Sequence, residues 1–180
     1  MNADPSETLL DEAALQIDGN GNLCHLLTLK GLEKSLLIEI LDEAEQYLTE
    51  PGELPARSRS LAGRTVGNLF FEPSTRTRAS FDLAGKRLGA DVLNLDVNTS
   101  SRKKGESILD TIYTLEAMQV DVMVVRDASD GVPAYIARHV QPHVSILNAG
   151  ESDVSHPTQG LLDVLTIRQH KDGFEGLTVA

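Results

Sequence analysis

The stretch RTVGNLFFEPSTRTRASFDLAGKRLGADVLNLD, residues 64–96, changes its apolar period twice. Residues 64–71 are a short apolar run with the character of a strand. The middle places Phe81, Ala84 and Leu88 at helical spacing and stops at Gly89, a residue suited to a helix C-terminal cap. Residues 91–96, DVLNLD, return to the strand pattern. Strand, helix and strand in this order predict a βαβ unit and a parallel pair.

The pattern continues downstream. VDVMVV at 120–125 and VSILNA at 144–149 are further strand candidates, apolar enough to be buried on both faces. Helices are expected to start near Thr75, Glu106, Val132 and Pro157. The chain therefore reads as α/β, with a mainly parallel sheet and helices on both faces. Upstream, Leu32, Leu36, Leu37, Ile40, Leu41, Ala44 and Leu48 mark an amphipathic helix, ended by the Pro- and Gly-containing run at 49–60. Residues 1–25 are expected to be an N-terminal extension, a loosely attached arm with a DGNGN turn at 18–22. FEGLTVA, residues 174–180, is expected to begin another strand.

At 180 residues the chain has room for one ordinary domain with a real core. Its net charge of -11 argues against nucleic-acid binding, which rests on accumulated Lys and Arg. The charge is unevenly spread. Residues 61–104 hold Arg64, Arg76, Arg78, Lys86, Arg87, Arg102, Lys103 and Lys104 against Glu72, Asp82, Asp91 and Asp96, while both flanks are acidic. A locally basic middle suits a small anionic ligand. The lone Cys24 gives no disulfide framework and reads as an apolar filler; the five histidines lack paired metal-ligand spacing, so no metal is expected. The N-terminus is acidic where a signal peptide is basic, and no apolar run reaches membrane-spanning length, so the expectation is a cytoplasmic protein.

In a parallel α/β sheet, ligands sit beyond the carboxyl ends of the strands. Ser74-Thr75-Arg76-Thr77-Arg78 falls at such a junction, where first-turn N–H groups, hydroxyls and guanidiniums together suit a phosphate. The bland alternative is that Ser74 only caps the helix and the arginines are surface charge. A second basic loop, NTSSRKKGE, occupies 98–106; Arg126 and His156 stand at two further junctions. Such residues taken singly are commonly structural, but the sheet brings these junctions to one edge. Neither a G-x-G-x-x-G turn nor a P-loop is present.

FFEPSTRTRASFDLAGKRLGA, KKGESILDT, Arg126 and HPTQGLLD resemble, in that order, the carbamoyl-phosphate half of the aspartate carbamoyltransferases. The resemblance runs from about Leu26 onward. Ornithine carbamoyltransferases share the S-T-R-T-R motif and a H-P-x-Q motif, whereas the lysine-containing run from Ser100 to Glu106 looks like the aspartate enzyme. The resemblance implies a carbamoyl-phosphate-binding domain over 26–174 and, at 175–180, the start of a truncated aspartate-binding domain, so that the second domain is missing. It implies transfer of a carbamoyl group from carbamoyl phosphate to L-aspartate, giving N-carbamoyl-L-aspartate and phosphate in de novo pyrimidine synthesis, without a cofactor. Carried over by motif, Ser74, Thr75, Arg76 and Thr77 would hold the phosphate. Thr77, Arg126 and His156 would face the carbonyl oxygen, and Gln159 the amide. Ser100 and Lys104 would reach a neighbouring subunit's site, which implies a homotrimer. A regulatory or dihydroorotase-like partner stays open, as do an ornithine specificity and a noncatalytic anion-binding or assembly role. Arg78 is expected to be structural, paired with a nearby acid.

Overall fold

The structure is a computed structural model that describes residues 12–96, 107–171 and 173–179. In chain order the elements are α1 (Lys34–Glu45), β1 (Thr65–Phe70), α2 (Thr75–Arg87), β2 (Asp91–Asp96), α3 (Ile108–Ala117), β3 (Val122–Asp127), α4 (Val132–Ala137), β4 (Ser145–Glu151) and α5 (Pro157–His170). The four strands form one parallel sheet in the order β2-β1-β3-β4. All four lie where the apolar runs predicted them.

Alternation along the strands divides the core. Leu69, Phe71, Met123, Val125 and Ile146 join Ile112, Leu115, Ala134 and Ile136, so this face is closed by α3 and α4. Val66, Phe70, Val124 and Ala149 form the other cluster, against which Phe81 of α2 packs. The period of two makes every strand supply both layers, and this is why β3 and β4 are apolar nearly throughout.

Helix α2 ends as expected. Gly89 stands two residues beyond Arg87 with φ +86°, a left-handed position that halts the helix. Its buried face differs from the prediction: Gly85 is buried and Ala84 is exposed. A Cβ on Gly85 would lie 2.8 Å from Val92 Cγ2, so the missing side chain lets the helix approach the sheet. Helix α3 begins with a reciprocal cap, Ser107 Oγ accepting from Asp110 N at 3.2 Å while Ser107 N donates to Asp110 Oδ2 at 2.9 Å.

The N-terminal segment departs from the loose arm anticipated. Leu26 N donates to Ile146 O at 2.8 Å and Asn148 N to Leu26 O at 2.9 Å, which extends the sheet beyond β4 by a single parallel bridge. The Gln16 side chain, wholly buried, accepts from Leu27 N at 2.7 Å and Thr28 N at 2.9 Å. His25 Nδ1 accepts from Ile146 N at 3.1 Å, and Cys24 Sγ donates to Gln16 O at 3.2 Å. These polar bonds act beside apolar contacts, Leu27 lying in the core and Leu15 packing against it, so residues 12–28 are held by both. At the other end, residues 174–179 form a bend and a turn followed by irregular chain, not the strand expected.

Candidate functional site

The chain runs from β1 to β2 on one side of β1 and then to β3 on the other. The crevice between the carboxyl ends of β1 and β3 is thus a topological switch point, where open α/β sheets bind ligands. The two strands are stitched there by Phe71 N donating to Arg126 O at 2.9 Å. Glu72 and Pro73 follow, and Ser74 takes extended φ/ψ to cap α2. Its hydroxyl makes no capping bond, so the hydroxyl and the first-turn amides have no intrahelical partner. Ser74 is the N-cap of α2, as the bland alternative had it, but by its backbone and not by its side chain.

A cleft of about 560 Å³ opens beside this turn, lined by Arg76, Thr77, Ser80, Phe81, His156, Thr158, Gln159 and Leu162. One wall is the first turns of α2 and the other the first turn of α5, so two positive helix ends converge on it. His156 is the N-cap of α5 and Pro157 its first residue, which fixes the chain direction without needing an N–H. Thr158 Oγ1 lies 3.3 Å from His156 Nδ1, and Gln159 Nε2 donates to Asp163 Oδ1 at 2.9 Å, leaving the Gln159 carbonyl uncommitted. Burial, helped by the Arg126 charge and opposed by Asp163, pushes the His156 pKa down, which favours a neutral imidazole.

Arg126, near the end of β3, is held from two sides. Its Nη1 donates to Ala149 O at 3.0 Å, and its Nε lies 2.5 Å from Glu72 Oε1 as a charge contact that lacks hydrogen-bond alignment. Next to it β4 carries an irregularity: Val125 pairs with Asn148 but Asp127 pairs with Glu151, so one extra residue is inserted in β4. Gly150 lies in this bulge with φ +115°, and a Cβ there would fall 2.5 Å from Arg126 Nη1 and 3.1 Å from His156 Cδ2. The absent side chain is the space in which the guanidinium and the imidazole meet.

Arg76, Thr77, His156 and Gln159 thus line one cleft, and Arg126 adjoins it through the Gly150 bulge. Thr75 points elsewhere: with Arg78, Ala79, Asp82 and Asn94 it lines a neighbouring hollow of about 380 Å³, leaving its backbone amide as its possible contribution to the cleft. The acid near Arg78 does not pair with it; Asp82 is engaged by Lys86 Nζ at 2.8 Å and Asn94 Nδ2 at 2.7 Å. Ser100 and Lys104 lie outside the described residues. Sequence reasoning missed Glu72, Ser80, Ala149, Gly150 and Thr158. The glycine following a predicted strand was a usable signal, whereas an interaction through the Ala149 carbonyl leaves none. Another hollow, lined by Thr166, Ile167, His170, Lys171, Leu177, Thr178 and Val179 beside α5, is mainly apolar at its surface. Among the described residues no group of three His, Cys, Asp or Glu side chains could hold a metal, and no helix is long and apolar enough to cross a membrane.

The family described as "Aspartate/ornithine carbamoyltransferase, carbamoyl-P binding domain" matches residues 24–169. Among solved structures, the catalytic subunit of M. jannaschii aspartate transcarbamoylase is 38% identical with a TM-score of 0.71, over 82% of this chain and 47% of that one. Aspartate transcarbamoylase from Trypanosoma cruzi, solved with carbamoyl phosphate and aspartate, is 36% identical with a TM-score of 0.70, over 83% of this chain and 45% of that one. Ornithine carbamoyltransferase from Thermus thermophilus is 31% identical with a TM-score of 0.76, over 87% of this chain and 52% of that one. The chain spans about half the length of the structures it matches.

Proposed function

Because the chain belongs to the aspartate/ornithine carbamoyltransferase family, we propose that its switch-point cleft binds carbamoyl phosphate and presents the carbonyl carbon to the amine of L-aspartate. The observation that carries this reading is the convergence of Arg76, Thr77, His156 and Gln159 on one cleft between two helix N-termini. The phosphate is received by the Ser74–Thr77 turn, through amides, hydroxyls and the Arg76 guanidinium. Thr77, Arg126 and His156 aim donors at the carbonyl oxygen, and the Gln159 carbonyl accepts from the carbamoyl NH2 group.

In the reaction the amine lone pair forms the new C–N bond and negative charge grows on the carbonyl oxygen. Donors already oriented there stabilise this charge more than they stabilise the ground state. Collapse of the tetrahedral intermediate breaks the bond to the phosphate oxygen, and the departing phosphate takes up the amine proton. A neutral His156 acts as a hydrogen-bond donor to the oxyanion and not as a charge partner. Catalysis so arranged places the burden on position and electrostatics, and each step balances without a cofactor. The proposal extends to a homotrimer in which Ser100 and Lys104 complete a neighbouring site, and to a cytoplasmic role in pyrimidine synthesis.

Aspartate is favoured over ornithine by the lysine-containing run at 100–106 and by the higher identity to the aspartate enzymes. The ornithine reading keeps one observation, the 0.76 TM-score to the Thermus thermophilus enzyme. A ureido-product assay with carbamoyl phosphate and either amine, run on a chain of the full length of the solved relatives, separates them: product with L-aspartate is expected, and product with L-ornithine alone overturns the specificity. Binding of carbamoyl phosphate with no product from either amine supports the noncatalytic alternative.

A further inference from the structure

His156 is held at both its backbone and its ring. Its carbonyl accepts from Gly160 N at 3.1 Å, which seats the residue at the start of α5. On one flank of the ring Nδ1 lies 3.3 Å from Thr158 Oγ1, and on the other Cδ2 stands 3.1 Å from where a Cβ on Gly150 would lie. Among the described residues the contact with Thr158 is the one hydrogen bond that either side chain makes. The far edge of the ring therefore carries Nε2 without a protein partner, in a residue that lines the cleft.

A neutral imidazole has one N–H, and a hydroxyl can meet Nδ1 with that proton on either nitrogen. Two features decide between these forms. The first is the hydroxyl proton of Thr158. Inside helices of this chain, Thr114 and Thr166 donate to carbonyls four residues back, Asp110 O and Leu162 O, each at 2.8 Å. Thr158 is the second residue of α5, so the position four before it, Val154, lies in the preceding turn, and among the described residues no such bond forms. Nδ1 is the acceptor left to this hydroxyl. The second feature is the positive end of α5, beside which a lone pair is favoured and an N–H is disfavoured. Both put the lone pair on Nδ1 and the proton on Nε2. Burial first, and then the Arg126 charge, oppose a second proton on the ring.

The geometry points to Thr158 as a positioning residue that donates to His156 Nδ1 and so keeps the single ring proton on Nε2, ready to be donated to an oxygen of a ligand in the cleft. That this oxygen is a carbonyl rests on the carbamoyl-phosphate reading, whereas the tautomer does not. Without the hydroxyl the two tautomers compete, and the form with a bare Nε2 presents a lone pair where a carbonyl oxygen needs a donor.

Long-range proton–nitrogen correlation spectra of the imidazole, recorded on the 180-residue chain at about pH 8 where the ring is neutral, test it. Protonated Nε2 and bare Nδ1 are expected in the unaltered chain, a mixture of tautomers in Thr158→Val, and the single form again in Thr158→Ser. A proton on Nδ1 in the unaltered chain, or spectra that Thr158→Val leaves as they were, overturns the inference. Calorimetry with carbamoyl phosphate and with inorganic phosphate, which has no carbonyl, gives the second readout. Thr158→Val is expected to weaken the first roughly two- to tenfold and to leave the second unchanged. Equal losses for both ligands overturn the positioning role. Should no chain bind carbamoyl phosphate, the carbamoyl-phosphate reading fails alone, and the nitrogen spectra still decide the tautomer.

Discussion

The ideal Cβ position of Gly150 lies 2.5 Å from Nη1 of Arg126, so the guanidinium that borders the cleft takes up the room that a side chain at Gly150 would need. Gly150→Ala is expected to meet both this clash and a φ of +115°, a region costly for a residue with a side chain. The loss of stability should be about 1–3 kcal/mol by chemical denaturation. Phosphate affinity, read by calorimetry on the fraction that stays folded, should fall as well, because Arg126 must move. A variant with unchanged affinity separates Arg126 from the anion site.

Glu72 holds the Nε edge of Arg126. Glu72→Gln removes the carboxylate charge while preserving shape, and the freed guanidinium charge is expected to strengthen phosphate binding roughly two- to fivefold at low salt. Weaker binding would mean that Glu72 orients Arg126 more than it neutralises it.

His156 should titrate below the ordinary 6.5, because burial and then the Arg126 charge both disfavour its protonated form. The sign for stability follows. As pH falls below 6.5 the unfolded chain takes up a proton that the folded imidazole resists, so His156 lowers stability on the acid side. Proton NMR of the ring gives the midpoint, and Arg126→Gln should raise it only in part, since burial remains. A midpoint above 6.5 would contradict this account of the site.

Helix α2 rests on the sheet through Gly85, whose added Cβ would lie 2.8 Å from Val92 Cγ2. Val92 is β-branched and has little rotamer freedom with which to yield. Gly85→Ala is expected to cost about 1–3 kcal/mol in denaturant unfolding. Because α2 carries Arg76 and Thr77, a shift of its axis should also weaken phosphate binding.

Much of this was legible in the chain itself, for reasons that can be located. The runs at 64–71, 91–96, 120–125 and 144–149 declare strands because burial on two faces demands continuous apolar character, and Gly89 marks the end of the helix between the first two. The junction residues were legible because a parallel sheet sends all its carboxyl ends to one edge. Residues 12–25 were misjudged because much of their attachment runs through Gln16, His25 and backbone amides, which carry no apolar period. The bulge at Gly150 depends on pairing with β3, a nonlocal event that a local pattern does not encode. The lack of a strand at 174–179 has the same origin, since apolar residues become a strand only where an edge is offered.

Amide chemical-shift mapping of the 180-residue chain with added carbamoyl phosphate tests the central claim most directly. Shifts are expected at Ser74 to Thr77, Gly150 and Gln159, with affinity falling at least about tenfold in Arg76→Ala. Shifts confined to other surfaces, or binding that Arg76→Ala leaves intact, would contradict the assignment of the switch-point cleft as a carbamoyl-phosphate site.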